Sequence, residues 1–125
     1  MINEIQKSLL SVHSVMDELA QKIQNIEKQI DQLTAEGVQA GEYHFKTDRP
    51  NTMFIYEPVL DGKRKYIHVG TDPEKQEIKK SEIERFKQRE QLMQRLDQLQ
   101  SNLMGFKYAV ERLAEDGDRI NSRVK

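Results

Sequence analysis

Residues 2–36 read INEIQKSLLSVHSVMDELAQKIQNIEKQIDQLTAE, and this stretch decides the fold. Its apolar residues Ile2, Ile5, Leu9, Val12, Met16, Leu19, Ile23, Ile26, Ile30 and Leu33 follow one another at alternating spacings of three and four. Every a and d position of a heptad frame is therefore apolar over more than four heptads. Such a repeat keeps one narrow stripe on one side of a helix, where it is buried against a partner helix. Gly37 stands where the helix should stop, because glycine accepts the left-handed conformation of a C-cap. The pattern predicts a helix over residues 1–36.

A second long helix is expected over residues 73–124. Thr71 or Asp72 can cap it, Pro73 suits a first turn, and Glu74 and Glu77 complement the helix dipole. From Leu92 the heptad is clear, through Leu96, Leu99, Leu103, Phe106, Val110 and Leu113. Ile83 and Phe86 lie one position out of that frame, which fits a local phase shift or packing on a different element. Glu115-Asp116-Gly117-Asp118 is the weakest point, where the helix could end with a short terminal helix after it.

Between the helices, over residues 42–70, the period changes. Tyr43-His44-Phe45, Met53-Phe54-Ile55-Tyr56 and Tyr66-Ile67-His68-Val69 are aromatic and β-branched clusters. Leu60-Asp61-Gly62-Lys63 is a two-residue hairpin signal, because Asp-Gly tolerates the positive φ angles of a type I′ turn. Pairing across it sets Tyr56 opposite Ile67, Phe54 opposite Val69 and Glu57 opposite Tyr66. Asp48-Arg49-Pro50-Asn51 supplies a second turn. Pro58 cannot donate to a ladder, so pairing should end near Glu57. The fold class expected is mainly α, as a single domain: two long antiparallel coiled-coil helices joined by a two- or three-stranded antiparallel β element.

Lengths bear on assembly. A helix of about 34 residues is roughly 50 Å long, and one of about 50 residues roughly 75 Å. Run back from a shared β tip, the second overshoots the first. The apolar stripe also widens away from the tip, where Leu10, Val15 and Ala20 join the first seam and Met93, Met104, Ala109 and Ala114 the second. A two-helix seam needs only the narrow stripe. These features predict a homodimer in a four-helix bundle with the β tips projecting outward. Its interface would use Leu10, Val15, Leu92, Met93, Leu103, Phe106, Val110 and Leu113.

Composition excludes several classes. The chain has 125 residues, of which 33% are charged, with neither Cys nor Trp. Disulfides and thiolate metal sites are ruled out, and a reducing compartment is compatible. The polar start is unlike a signal peptide, and no run approaches the ~20 apolar residues that span a bilayer. A cytoplasmic protein without membrane contact is the expectation. His13, His44 and His68 have no ligand set around them, so no metal or cofactor is expected. No nucleophile with a base and no Gly-rich phosphate loop is present, so the chain reads as a non-enzyme.

The net charge of −1 hides an asymmetry: residues 1–36 hold three basic and six acidic residues, and residues 63–95 hold ten and six. The candidate site for nucleic acid or another partner is the hairpin, with Lys63, Arg64 and Lys65 after the turn, Tyr56, Tyr66 and His68 on the sheet, and Arg49 near the other turn. Cations would meet phosphates, and a two-stranded ribbon can enter a groove. Lys75, Lys79, Lys80, Arg85, Lys87 and Arg89 would extend the track. The same charges also suit a protected edge strand and pairing along the helix. Arg119 and Arg123, four apart, form a second candidate for an anionic ligand at a dimer interface.

The run Met53-Phe54-Ile55-Tyr56, then Asp61-Gly62-Lys63 and Tyr66-Ile67-His68-Val69-Gly70 before a charged helix, resembles small uncharacterised proteins of plasmids, phages and other mobile elements. In these, a Tyr-rich strand, a Gly-Lys turn and a strand ending in Gly lead into a Glu/Lys/Arg-rich helix. The resemblance covers about residues 42–100. The chain departs from it in lacking the Cys pair some of them carry and in having the long N-terminal heptad helix. The resemblance implies a mobile-element context, with DNA handling or interference with a host system as roles, and it transfers no site residues. The sequence as a whole reads as a dimeric coiled-coil interaction or adaptor protein that contacts a partner through its β tip. A DNA-binding accessory protein is the alternative, and an inhibitor or sponge for an anionic ligand or host factor the third.

Overall fold

A computed structural model describes the whole chain except Leu60 and Lys125. The element order is α1 (Ile2–Glu36), β1 (Glu42–Phe45), β2 (Met53–Tyr56), β3 (Tyr66–Gly70) and α2 (Pro73–Arg123). The protein is thus mainly helical, with one antiparallel sheet in the order β1-β2-β3. No helix is long and apolar enough to cross a membrane among the described residues. Of the two courses open at Gly117, the helix takes the continuous one, and α2 runs to Arg123. One helical glycine costs only about 1 kcal/mol against alanine, and Arg119 pairs with Asp116 across the weak point.

The residues group into two compact units, residues 26–93 with the sheet and residues 1–25 with 94–125. In the sheet unit, α1 ends at Gly37, whose φ of 103° is the left-handed conformation its sequence position foretold. Arg85 of α2 then serves the exposed end of α1. Its Nε donates to the Gly37 carbonyl at 2.7 Å and its Nη2 to the Glu36 carbonyl at 3.2 Å. A cation on orphan carbonyls is doubly favourable, through charge-assisted hydrogen bonds and the helix dipole. Arg85→Ala is expected to cost about 1–3 kcal/mol. Hydrogen exchange over residues 30–36 should quicken, and unchanged protection there would contradict this role.

The chain then passes against the sheet at Gly41. A Cβ at that position would collide with the Tyr56 carbonyl oxygen, so only glycine fits. At the other side Asp72 caps α2, accepting from the Glu74 amide at 3.0 Å. Gln76 ties the helix to the sheet by donating to the carbonyls of Asn51 and Gly70, each at 2.9 Å.

The hairpin register differs from expectation. Tyr56 lies opposite Tyr66, Ile55 opposite Ile67 and Phe54 opposite His68, with Val69 bulged out between His68 and Gly70. The Glu57 amide donates to the Lys65 carbonyl. The expected pairs Tyr56–Ile67, Phe54–Val69 and Glu57–Tyr66 were therefore one residue out. The reason is burial. A slip of one residue reverses every side chain, and only the observed register puts Ile67 on the face of the buried Ile55. Asp61 and Gly62 do carry the positive φ angles of the expected turn; Leu60, the first residue of that signal, lies outside the described residues.

The core of this unit is small. Met53, Ile55 and Ile83 are buried together, with Ile67 and Val69 packed against them. Ile83 left the heptad frame because it packs on the sheet.

Candidate functional site

Two surfaces stand out, one in each unit. In the sheet unit, alternation along the strands puts Met53 and Ile55 inside and Phe54 and Tyr56 outside. The register adds Glu42 and His44 from β1 and Tyr66 and His68 from β3 to that outer face. A wet sheet face usually carries polar side chains; this one carries rings. His44 and Phe54 are near-parallel with centroids 5.5 Å apart, and Phe54 and Tyr66 are near-parallel at 5.3 Å. Tyr56 meets Phe54 and Tyr66 edge-on at 5.1 and 5.7 Å. The row thus crosses all three strands.

Arg64 places its guanidinium 5.2 Å from the centre of the Tyr56 ring. Lys63 and Lys65 are exposed beside it. A concavity of about 400 Å³ adjoins Tyr56, bounded by Gly41, Glu42, His44, Glu57, Pro58 and Arg64. Gln39 holds the Glu57 carboxylate there at 2.9 Å. Six of the hairpin residues named from sequence, Tyr56, Tyr66, His68, Lys63, Arg64 and Lys65, thus fall on or beside one surface. Arg49 belongs to the β1–β2 turn and faces Asp48 at 3.8 Å. His44 and Phe54 were not foreseen as part of it, because the sequence register put Phe54 opposite Val69.

The basic track along α2 is largely occupied. Lys79 pairs with Glu82 and Lys80 with Glu77, and Lys80 also lies over the Tyr43 and Phe45 rings. Arg85 serves the α1 carbonyls, and Arg89 donates to the Thr34 hydroxyl.

The second surface belongs to residues 1–25 and 94–125. None of the described residues among these is buried, whereas the sheet unit holds every buried side chain described. Leu9, Val12 and Met16 of α1 face Leu103, Phe106 and Val110 of α2 across an open groove of about 900 Å³. Its walls are almost wholly apolar, with His13, Gln100, Lys107 and Glu111 on the margin. Of the eight interface residues expected from sequence, Leu103, Phe106 and Val110 line this groove. Leu10, Val15 and Leu113 are exposed in the same unit, Leu10 at 71%. Leu92 and Met93 are half-buried and belong to the sheet unit.

Arg119 and Arg123, the candidate anion pair, lie one turn apart on α2. Arg119 bonds the Asp116 carboxylate, and Arg123 is exposed in the last turn of α2. Among the described residues, no three His, Asp or Glu side chains gather as metal ligands would. No family model, curated protein or solved structure matches the chain.

Proposed function

We propose that the chain is a self-associating helical interaction protein without catalytic activity. Two copies close over the apolar groove as an antiparallel four-helix bundle, and the sheet unit is the surface each copy offers to a partner. One observation carries this reading: residues 1–25 and 94–125 hold two heptad-patterned helical segments that, among the described residues, bury no side chain of their own. Exposed apolar patches beyond a few hundred Å² mark interaction sites. A groove of about 900 Å³ between two apolar seams has the volume that seam residues of another helix pair would fill. A second copy supplies such a pair with the same repeat, and a two-fold dimer sets the same patch against itself. Every groove-lining residue lies outside residues 26–93, so closing the groove uses none of the sheet surface.

Thermal unfolding tests this. A dimer that unfolds to monomers gains stability with concentration. The melting temperature should rise steadily over a hundredfold range of protein concentration. A constant value over that range would overturn the reading.

A further inference from the structure

We propose that the ring-bearing outer face of the sheet binds single-stranded nucleic acid, a base stacking on Tyr66 and the phosphates following Lys63 to Lys65. This rests on the reading that the sheet unit is the contact surface, and it names the partner.

The rings come first. His44, Phe54 and Tyr66 form a near-parallel row at spacings of 5.5 and 5.3 Å. The row ends on β3, an edge strand, with Tyr66 44% exposed. Among the described residues the ring contacts of Tyr66 are with Phe54 and Tyr56 alone. An unpaired base set on its open side continues the row. Such stacking tolerates any base, because every base has a π-face.

The charges say where the strand runs. Lys63, Arg64 and Lys65 immediately precede Tyr66 and are all exposed. Lys63 and Lys65 have no ion pair among the described residues, and Arg64 rests on Tyr56. The acids Glu42 and Glu57 share their concavity with Arg64, and the Glu57 amide donates to the Lys65 carbonyl. A polyanion is therefore drawn to Lys63 and Lys65 rather than into that concavity.

The same accounting disfavours a duplex. Duplex affinity comes mainly from many phosphate contacts. Four of the six cations that would extend the track, Lys79, Lys80, Arg85 and Arg89, are engaged within the chain, which leaves Lys75 and Lys87. A short cluster of cations needs the additional energy of stacking, which only unpaired bases provide.

The test is fluorescence anisotropy on the full chain. The probes are a labelled oligothymidylate of about 12 nucleotides, a duplex of the same length and a proline-rich peptide, at about 50 and 200 mM salt. The oligothymidylate should bind most tightly and weaken with salt. Tyr66→Leu, which keeps apolar volume but removes the ring, should weaken it at least fivefold, since a stacked base is worth about 1–3 kcal/mol. Lys63→Glu with Lys65→Glu, remote from the core, should flatten the salt dependence. Absence of strand binding at low salt, duplex binding as tight, preference for the peptide, or indifference to Tyr66→Leu would each overturn the proposal. The mass of the same samples keeps the two readings apart. A dimer that ignores the strand removes the ligand only, and a monomer that binds it through Tyr66 removes the dimer only.

Discussion

Leu10→Glu combined with Leu113→Glu is expected to turn a dimer into a folded monomer. The argument is a contrast between two states. In the single chain Leu10 is 71% and Leu113 57% exposed. A charge at such positions changes monomer stability by no more than about 0.5 kcal/mol. Across a two-fold interface the pair counts twice. Burying a leucine is worth about 2 kcal/mol, so four of them contribute on the order of 8 kcal/mol, before any cost of a buried carboxylate. Each 1.4 kcal/mol is tenfold in affinity, so the dissociation constant should rise by about five decades or more. Sedimentation velocity reads the mass and circular dichroism the helix. A double variant that still sediments as a dimer with native helix content would place the interface elsewhere.

The second large effect lies in the sheet unit. Ile55 is fully buried and one of only three side chains in the buried cluster. Ile55→Ala should cost about 2–5 kcal/mol, the range for deleting a buried aliphatic side chain. Small cores hold little stability in reserve. The tyrosine near-ultraviolet signal, which reports the packed rings of Tyr56 and Tyr66, should collapse while the helical far-ultraviolet signal largely remains. A variant with both signals intact and an unshifted melt would mean that this cluster does not hold the sheet together.

These two effects trace how much the sequence disclosed. Helices were legible because their signals are local and redundant. Ten apolar positions in phase, Gly37 at one end and Asp72-Pro73 at another leave few alternatives. The strands were legible as aromatic clusters bounded by Asp48-Arg49-Pro50-Asn51 and Asp61-Gly62. Their register was not. It turned on which of two faces would bury Ile67, and that depended on Ile83 reaching the sheet from α2, a contact 16 residues away in sequence. The bulge at Val69 follows from the same packing, and the turn motif alone does not encode it.

The candidate surface inherited that limit. Lys63, Arg64, Tyr56 and Tyr66 were found by type, but their union with His44 and Phe54 needs the register. The basic track shows a related limit. Counting charge along residues 63–95 cannot tell that Arg85 is spent on two carbonyls of α1. Conversely, heptads say that a seam wants covering and not what covers it; Leu10 of the widened stripe and Leu113 of the seam are both exposed in the single chain.

The central claim is self-association through residues 1–25 and 94–125, and sedimentation equilibrium of the full chain tests it most directly. At micromolar concentration the mass should be twice the chain mass of 14.7 kDa. A mass of 14.7 kDa across the micromolar range would contradict it.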